Sequence, residues 1–156
     1  MGALAEKKLF LLDMDGTIYL GDRLFDGAEE FLRRVRERGG RYVFLTNNSS
    51  RGTGTYIEKL ARMGIAAQPE DFLTSADAAI AYLKKTYSGA LYYVCGTRSL
   101  KSQLRAAGLR VTDTLTDGID VLLLGYDTEL TYQKLEDCCI LLGRGADYIA
   151  THPDMV

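Results

Sequence analysis

The chain has 156 residues, enough for one sizeable core or for one domain and part of a second. Its hydrophobic fraction of 47% and charged fraction of 26% are those of a soluble globular protein. A net charge of −2 with no block of one sign disfavours nucleic acid and anionic membranes as partners. No run approaches the ~20 apolar residues of a membrane helix. Met1 to Lys8 holds no apolar leader core, so a cytoplasmic location is expected.

In chain order, Leu9-Phe-Leu-Leu12 reads as a strand buried on both faces, and Asp13 and Asp15 arrive where it should end. Two carboxylates leave water only with a compensating cation, a hydrogen-bond cage or a shifted pKa, so the acidic pair suggests a site. Gly16 permits a sharp turn, and Thr17 adds a hydroxyl beside it. Asp-Gly is also an ordinary turn dipeptide, which leaves a solvated turn as the plain alternative. Ile18 to Gly27 is too rich in turn residues for a helix and suggests a hairpin centred on Gly21-Asp22.

Ala28, Phe31, Leu32 and Val35 recur at helical spacing, with acids in the first turn, arginines in the last and Gly39-Gly40 as the stop. Tyr42 to Thr46 is the next buried strand. Asn47-Asn-Ser-Ser-Arg-Gly-Thr-Gly54 then leads toward a helix, a setting where hydroxyls, amides and a helix N-terminus suit an anion. Ser, Thr and Asn are equally the usual capping residues, and Thr55 to Glu58 reads as a capping box. A short strand, Phe72 to Thr74, follows Pro69, and Ser75 is expected to cap a helix running to about Lys85. Three rounds of strand and helix imply a parallel sheet with right-handed crossovers.

A boundary is expected near Tyr87 to Ala90, giving domains 1–87 and 88–156. Beyond it come a strand from Leu91 to Cys95, a helix with Leu100 and Leu104 on one face, and a strand starting at Val121. Thr131 caps a further helix whose expected apolar face is Leu135, Cys138, Cys139 and Leu142, and Tyr148 to Thr151 forms the last strand. Asp127 reads as polar connection, and Lys84, Lys85 and Lys134 as solvated side chains.

The three cysteines match no zinc spacing and read as reduced, partly buried thiols. A single histidine, His152, cannot build a His-centred metal cluster, and no P-loop is present.

An apolar strand, Asp-x-Asp-Gly-Thr, and a second apolar strand ending in Leu45-Thr-Asn-Asn resemble the first and second motifs of the haloacid dehalogenase-like (HAD) phosphatases. Gly27-Ala-Glu-Glu-Phe-Leu, Phe72-Leu-Thr-Ser-Ala, Gly125-Tyr-Asp and Ala150-Thr-His-Pro-Asp resemble its subfamily IIA, the NagD-like group that includes nucleotide, phosphoglycolate, pyridoxal phosphate and p-nitrophenyl phosphatases. The resemblance implies an α/β fold: the N-terminal half of a Rossmann-like parallel-sheet core, then an incomplete α/β cap of the C2 type.

It also implies the chemistry. Asp13 would attack phosphorus to form an aspartyl phosphate, and Asp15 would protonate the leaving oxygen and later activate water. Thr46 and Asn47 would bind the phosphoryl oxygens. Mg²⁺ would be held by Asp13 and the backbone carbonyl of Asp15, since the expected ligands are all oxygens. The substrate would be a small phosphorylated metabolite of the sugar phosphate, nucleotide or phosphoglycolate class. His152 by itself reads as a surface imidazole, while the resemblance turns its loop toward substrate.

The family also requires a later lysine and a further acidic motif, expected beyond residue 156. The isolated chain is therefore expected to be poorly active or inactive, with an exposed sheet edge that invites a homo-oligomer. Two other readings stand beside the phosphatase: a non-catalytic relative that binds metal and phosphate, and a receiver-like signalling domain. The position of Asp13 on the first strand argues against the receiver.

Overall fold

The computed structural model describes residues 6–153. Residues 1–5, which open the stretch read for a leader, and Asp154, which ends the His-Pro-Asp run, lie outside them. The chain divides into two compact units, one of residues 1–46 and 53–73, the other of 47–52 and 74–156.

In the first unit, β1 (Leu9–Asp13) pairs in parallel with β4 (Arg41–Thr46), and the sheet continues to β5 (Phe72–Thr74) in the order β1-β4-β5. Between β1 and β4 come the expected hairpin, β2 (Tyr19–Leu20) with β3 (Arg23–Leu24) around Gly21-Asp22, and α1 (Ala28–Glu37). A second helix, α2 (Thr53–Arg62), and a single 3₁₀ turn, Pro69–Asp71, precede β5. One face of the sheet is packed: Phe10, Leu12, Tyr42, Phe44 and Phe72 share a core with Leu32 and Val35 of α1 and Tyr56 and Leu60 of α2.

Within the described residues β1 is covered on one face only. Leu9 and Leu11 are 56% and 60% exposed. Period-two alternation gives β1 one covered side, Phe10 and Leu12, and one open side, and Asp13 falls on the open one. Phe31 of α1 is likewise half out of the core and meets Phe10 edge to face at 5.4 Å. Thr55 lies inside α2, which begins at Thr53, so it does not open a capping box there.

In the second unit, α3 (Ser75–Thr86) is followed by a four-stranded sheet: β6 (Leu91–Cys95), β7 (Arg110–Thr112), β8 (Val121–Leu124) and β9 (Asp147–Ala150). Its order is β7-β6-β8-β9, with every pair parallel. Two helices make the crossovers, α4 (Arg98–Ala106) and α5 (Tyr132–Gly143). Ala76 and Leu83 of α3 and Leu100 and Leu104 of α4 share one core with Tyr92, Val94, Val121 and Leu123. Cys138 and Leu141 of α5 pack with Tyr93, Cys95 and Leu122, the side chains that alternate to the other face. The result is a sheet covered on both sides, as a doubly wound fold requires.

Three local expectations change here. The cap of α3 is Thr74, not Ser75: its Oγ1 accepts from the Asp77 amide at 3.1 Å, while the Asp77 carboxylate accepts from the Thr74 amide at 2.9 Å. Strand β7 has no counterpart in the sequence reading, since three residues with two polar members carry little pattern. Thr131 caps α5 as expected, but the buried face of that helix is Asp137, Cys138 and Leu141, and Leu135, Cys139 and Leu142 are exposed.

Candidate functional site

In the first unit the site grows out of the end of β1. Met14 is 1% exposed and anchors the turn, while Asp13 and Asp15 on either side of it are exposed. Within the described residues neither carboxylate is buried. The Met14 carbonyl accepts from the amides of Thr17, Ile18 and Tyr19 at 3.2, 2.9 and 3.2 Å, and the Gly16 amide donates to the Tyr19 carbonyl at 2.8 Å. Gly16 has φ of 80°, left-handed backbone that a residue with a Cβ adopts only at a cost. The turn thus sets one exposed acid on each side of buried Met14 in a closed, hydrogen-bonded loop.

Strand register brings the second motif beside the first. Asp13 pairs with Leu45, so Thr46 is one residue further along the neighbouring strand, at a strand spacing of about 4.8 Å. Both residues lie at carboxyl ends of parallel strands, where open α/β sheets present their ligands. The oxygens offered are hard donors: the Asp13 carboxylate and the Asp15 carbonyl fit Mg²⁺, which binds through one or two carboxylates and keeps several waters. Among the described residues no group of three acids, histidines or cysteines converges to complete such a site.

Asn47 follows Thr46 directly but is grouped with the second unit, as is His152. Within that unit the loop of residues 47–52 is held by side chains. The Ser75 hydroxyl donates to the Asn47 carbonyl at 2.8 Å, and the Thr97 hydroxyl to the Ser50 carbonyl at 2.9 Å. The Ser49 hydroxyl, fully buried, accepts from the Tyr126 amide at 2.9 Å and lies 3.1 Å from the Thr151 hydroxyl. A Cβ at Gly125 would come within 2.5 Å of the Leu100 side chain and 3.0 Å of the Ser49 hydroxyl, so a larger residue there would force them to shift. His152, half-buried, is the next residue after Thr151.

The second unit also carries polar groups that the sequence did not single out. Lys134 is not a solvated side chain: its ammonium donates to Asp127 Oδ2 at 2.7 Å and to the carbonyls of Glu129 and Gly96 at 3.0 and 3.1 Å. The Asp127 side chain it meets is 4% exposed. The Tyr93 hydroxyl donates to Asp137 Oδ2 at 2.6 Å, deep between β6 and α5. Burial, and then that bond, push the Tyr93 phenol well above its ordinary value. Hydrogen bonding to Cys95, together with burial, raises the Cys138 thiol, which makes it unreactive core filling. Only the spacing of Lys134, Asp137, Cys138 and Leu141 at i, i+3, i+4 and i+7 could have marked the inward face of α5.

A family model described as haloacid dehalogenase-like hydrolase matches residues 10–110, and the chain belongs to that family. Among characterised relatives, an acid sugar phosphatase of Staphylococcus aureus is 34% identical over 152 residues, which are 97% of this chain and 58% of that protein. A 4-nitrophenylphosphatase structure from Thermotoga maritima superposes with a TM-score of 0.92 at 39% identity, covering 99% of this chain and 58% of the other. A glycerol phosphate phosphatase from Mycobacterium tuberculosis, in complex with magnesium, gives a TM-score of 0.89 at 31% identity over 99% of this chain and 47% of its own. The chain thus spans a little over half the length of the first two relatives.

Proposed function

We propose that this chain supplies the nucleophile and phosphate-binding part of a phosphomonoesterase that acts on small phosphorylated metabolites. The observation that carries the reading is the pair of exposed acids flanking buried Met14 at the end of β1, with Thr46 at the end of the adjoining strand. Acid sugar phosphatase and glycerol phosphate phosphatase activities among the relatives support the substrate class.

In this reading the Asp13 carboxylate attacks phosphorus in line with the leaving oxygen, giving an aspartyl phosphate as the ester bond breaks. Asp15 donates its proton to the departing alkoxide and then takes one from the water that hydrolyses the intermediate. The Thr46 hydroxyl and the Asn47 main-chain N–H hold the phosphoryl oxygens, where stabilising charge is most of what a protein contributes. His152 would contact the substrate's organic part. A Mg²⁺ ion held by the Asp13 carboxylate and the Asp15 carbonyl would cancel repulsion between carboxylate and phosphate dianion. Buried Met14 and the hydrogen bonds to its carbonyl keep the two acids in fixed relation while this occurs.

The test is acid-quench trapping with a ³²P-labelled sugar phosphate on the complete natural protein with Mg²⁺. Label is expected on the peptide containing Asp13, absent in Asp13→Asn and diminished in Asp15→Asn, which lacks the acid for the departing alkoxide. Turnover retained in Asp13→Asn would refute the reading, and a protein that binds phosphate with no label and no turnover would be a non-catalytic relative.

A further inference from the structure

The second unit holds a cleft that the proposed chemistry does not use. Its sheet runs β7-β6-β8-β9, so the chain leaves β6 to one side for β7 and then crosses to the other side for β8. Helix α4 follows β6 onto one face and α5 follows β8 onto the other. Between the carboxyl ends of β6 and β8 the two connections diverge, the switch point at which doubly wound sheets open a crevice for ligands. A cleft of about 750 Å³ lies there, lined by Gly96, Arg98, Lys101, Ser102, Arg105 and, across it, Lys134 and other residues of the α5 side. That volume is in the range of small-molecule sites, roughly 300–1,000 Å³.

The lining has one chemical character. Arg98, Lys101, Ser102 and Arg105 stand at i, i+3, i+4 and i+7, so a single face of α4 presents three cations and a hydroxyl. With Lys134 the lining carries four cations, against two carboxylates, Asp113 and Glu129. Lys134 is saturated by its three oxygen partners. Lys101 is not: its side chain is only 10% exposed, yet among the described residues its three N–H donors meet one acceptor, Asp113 Oδ1 at 3.1 Å. Asp113 shares its other oxygen with Arg105 at 2.5 Å. Burial would raise the Asp113 carboxyl, but the hydrogen bonds from Lys101 and Arg105 hold it below the usual range. It therefore stays ionised and offsets only part of the positive charge. Arg98 is 95% exposed and lies 3.8 Å from Glu129, so its guanidinium donors are open to an incoming group. The Lys101 ammonium lines the cleft and has donors left to offer an entering oxygen anion.

We propose that this cleft binds a small phosphorylated metabolite, with the phosphate dianion seated on Lys101, Ser102, Arg105 and Arg98. Asp127 neutralises Lys134, so Arg98, Lys101 and Arg105 face Asp113 and Glu129 and leave one excess cation, which favours an anion. The organic body occupies the remainder of the cleft toward Thr131 and Lys134. This site needs no divalent cation and stands apart from the reading of Asp13.

The test is a ¹H–¹⁵N NMR titration of the Asp13→Asn chain in chelator-containing buffer, with inorganic phosphate and then glucose 6-phosphate, against chloride at matched ionic strength. Saturable shifts are expected at the amides of residues 97–102 and 134, with the ester binding more tightly than the free ion. Lys101→Met and Arg105→Ala should each weaken binding about tenfold or more, while Lys84→Ala leaves it unchanged. Arg98→Ala, at an exposed position, gives the same reading should Lys101→Met fail to fold. Absence of saturation by about 10 mM ligand, equal shifts with chloride, shifts confined to other residues, or unaltered affinity in the Arg98 and Arg105 variants would overturn the proposal.

Discussion

Replacing Tyr93 by Phe removes one oxygen from the second unit and makes a two-part prediction. Tyr93 is 1% exposed and Asp137 is 5% exposed, and the phenol is one of two donors to that carboxylate, with Gln133 Nε2 on Oδ1 at 3.0 Å. A hydrogen bond to a charged acceptor contributes about 1.5–3 kcal/mol, so Tyr93→Phe should destabilise the unit by about 2 kcal/mol at neutral pH. The phenol pKa is raised in the folded state, so the unfolded chain releases this proton first as pH increases. The stability from Tyr93 is thus fully present below about pH 10 and falls above it by about 1.4 kcal/mol per pH unit. Phe has no such proton to lose, and the raised phenols of Tyr42 and Tyr92 are common to both proteins. The difference between wild type and Tyr93→Phe should therefore shrink between about pH 10 and 11. Urea unfolding followed by circular dichroism across that range measures it. A neutral-pH difference under about 0.5 kcal/mol, or one that stays constant with pH, would refute the argument.

Gly16→Ala should cost about 1–2 kcal/mol through the backbone alone, because φ is 80° and no atom lies within 4 Å of the added Cβ. A thermal melt checks the stability, and Gly16→Asn should recover part of the loss because Asn tolerates the left-handed region better. Lys134→Met strands the Asp127 carboxylate, 4% exposed, and should cost about 3 kcal/mol. The double variant with Asp127→Asn should regain much of that in the same denaturation assay, since it removes the uncompensated charge rather than adding a contact.

Where pattern and burial agree, the sequence was sufficient. Every named strand except β7, the hairpin at Gly21-Asp22, helices α1 and α4 and the cap at Thr131 follow from residues close together in the chain. Asp13, Asp15 and Thr46 were legible for the same reason: each comes at the end of an apolar strand, and parallel pairing of those strands sets them side by side. The sequence misled where a polar residue turns inward. Asp137 and Lys134 stand on the buried side of α5 because Tyr93 and Asp127, distant or across a loop, satisfy them, so an apolar count rotates the helix by one position.

By itself, then, the sequence determined the order of strands and helices, the family and the acids at the end of β1, because propensity, period and turn chemistry act over a few residues. Tertiary structure alone decided that Lys101 is buried beside the Asp113 carboxylate and that α4 turns three cations toward one cleft. Those outcomes depend on which groups meet across tens of residues. Whether a polar side chain can be buried is set by the partner it finds there.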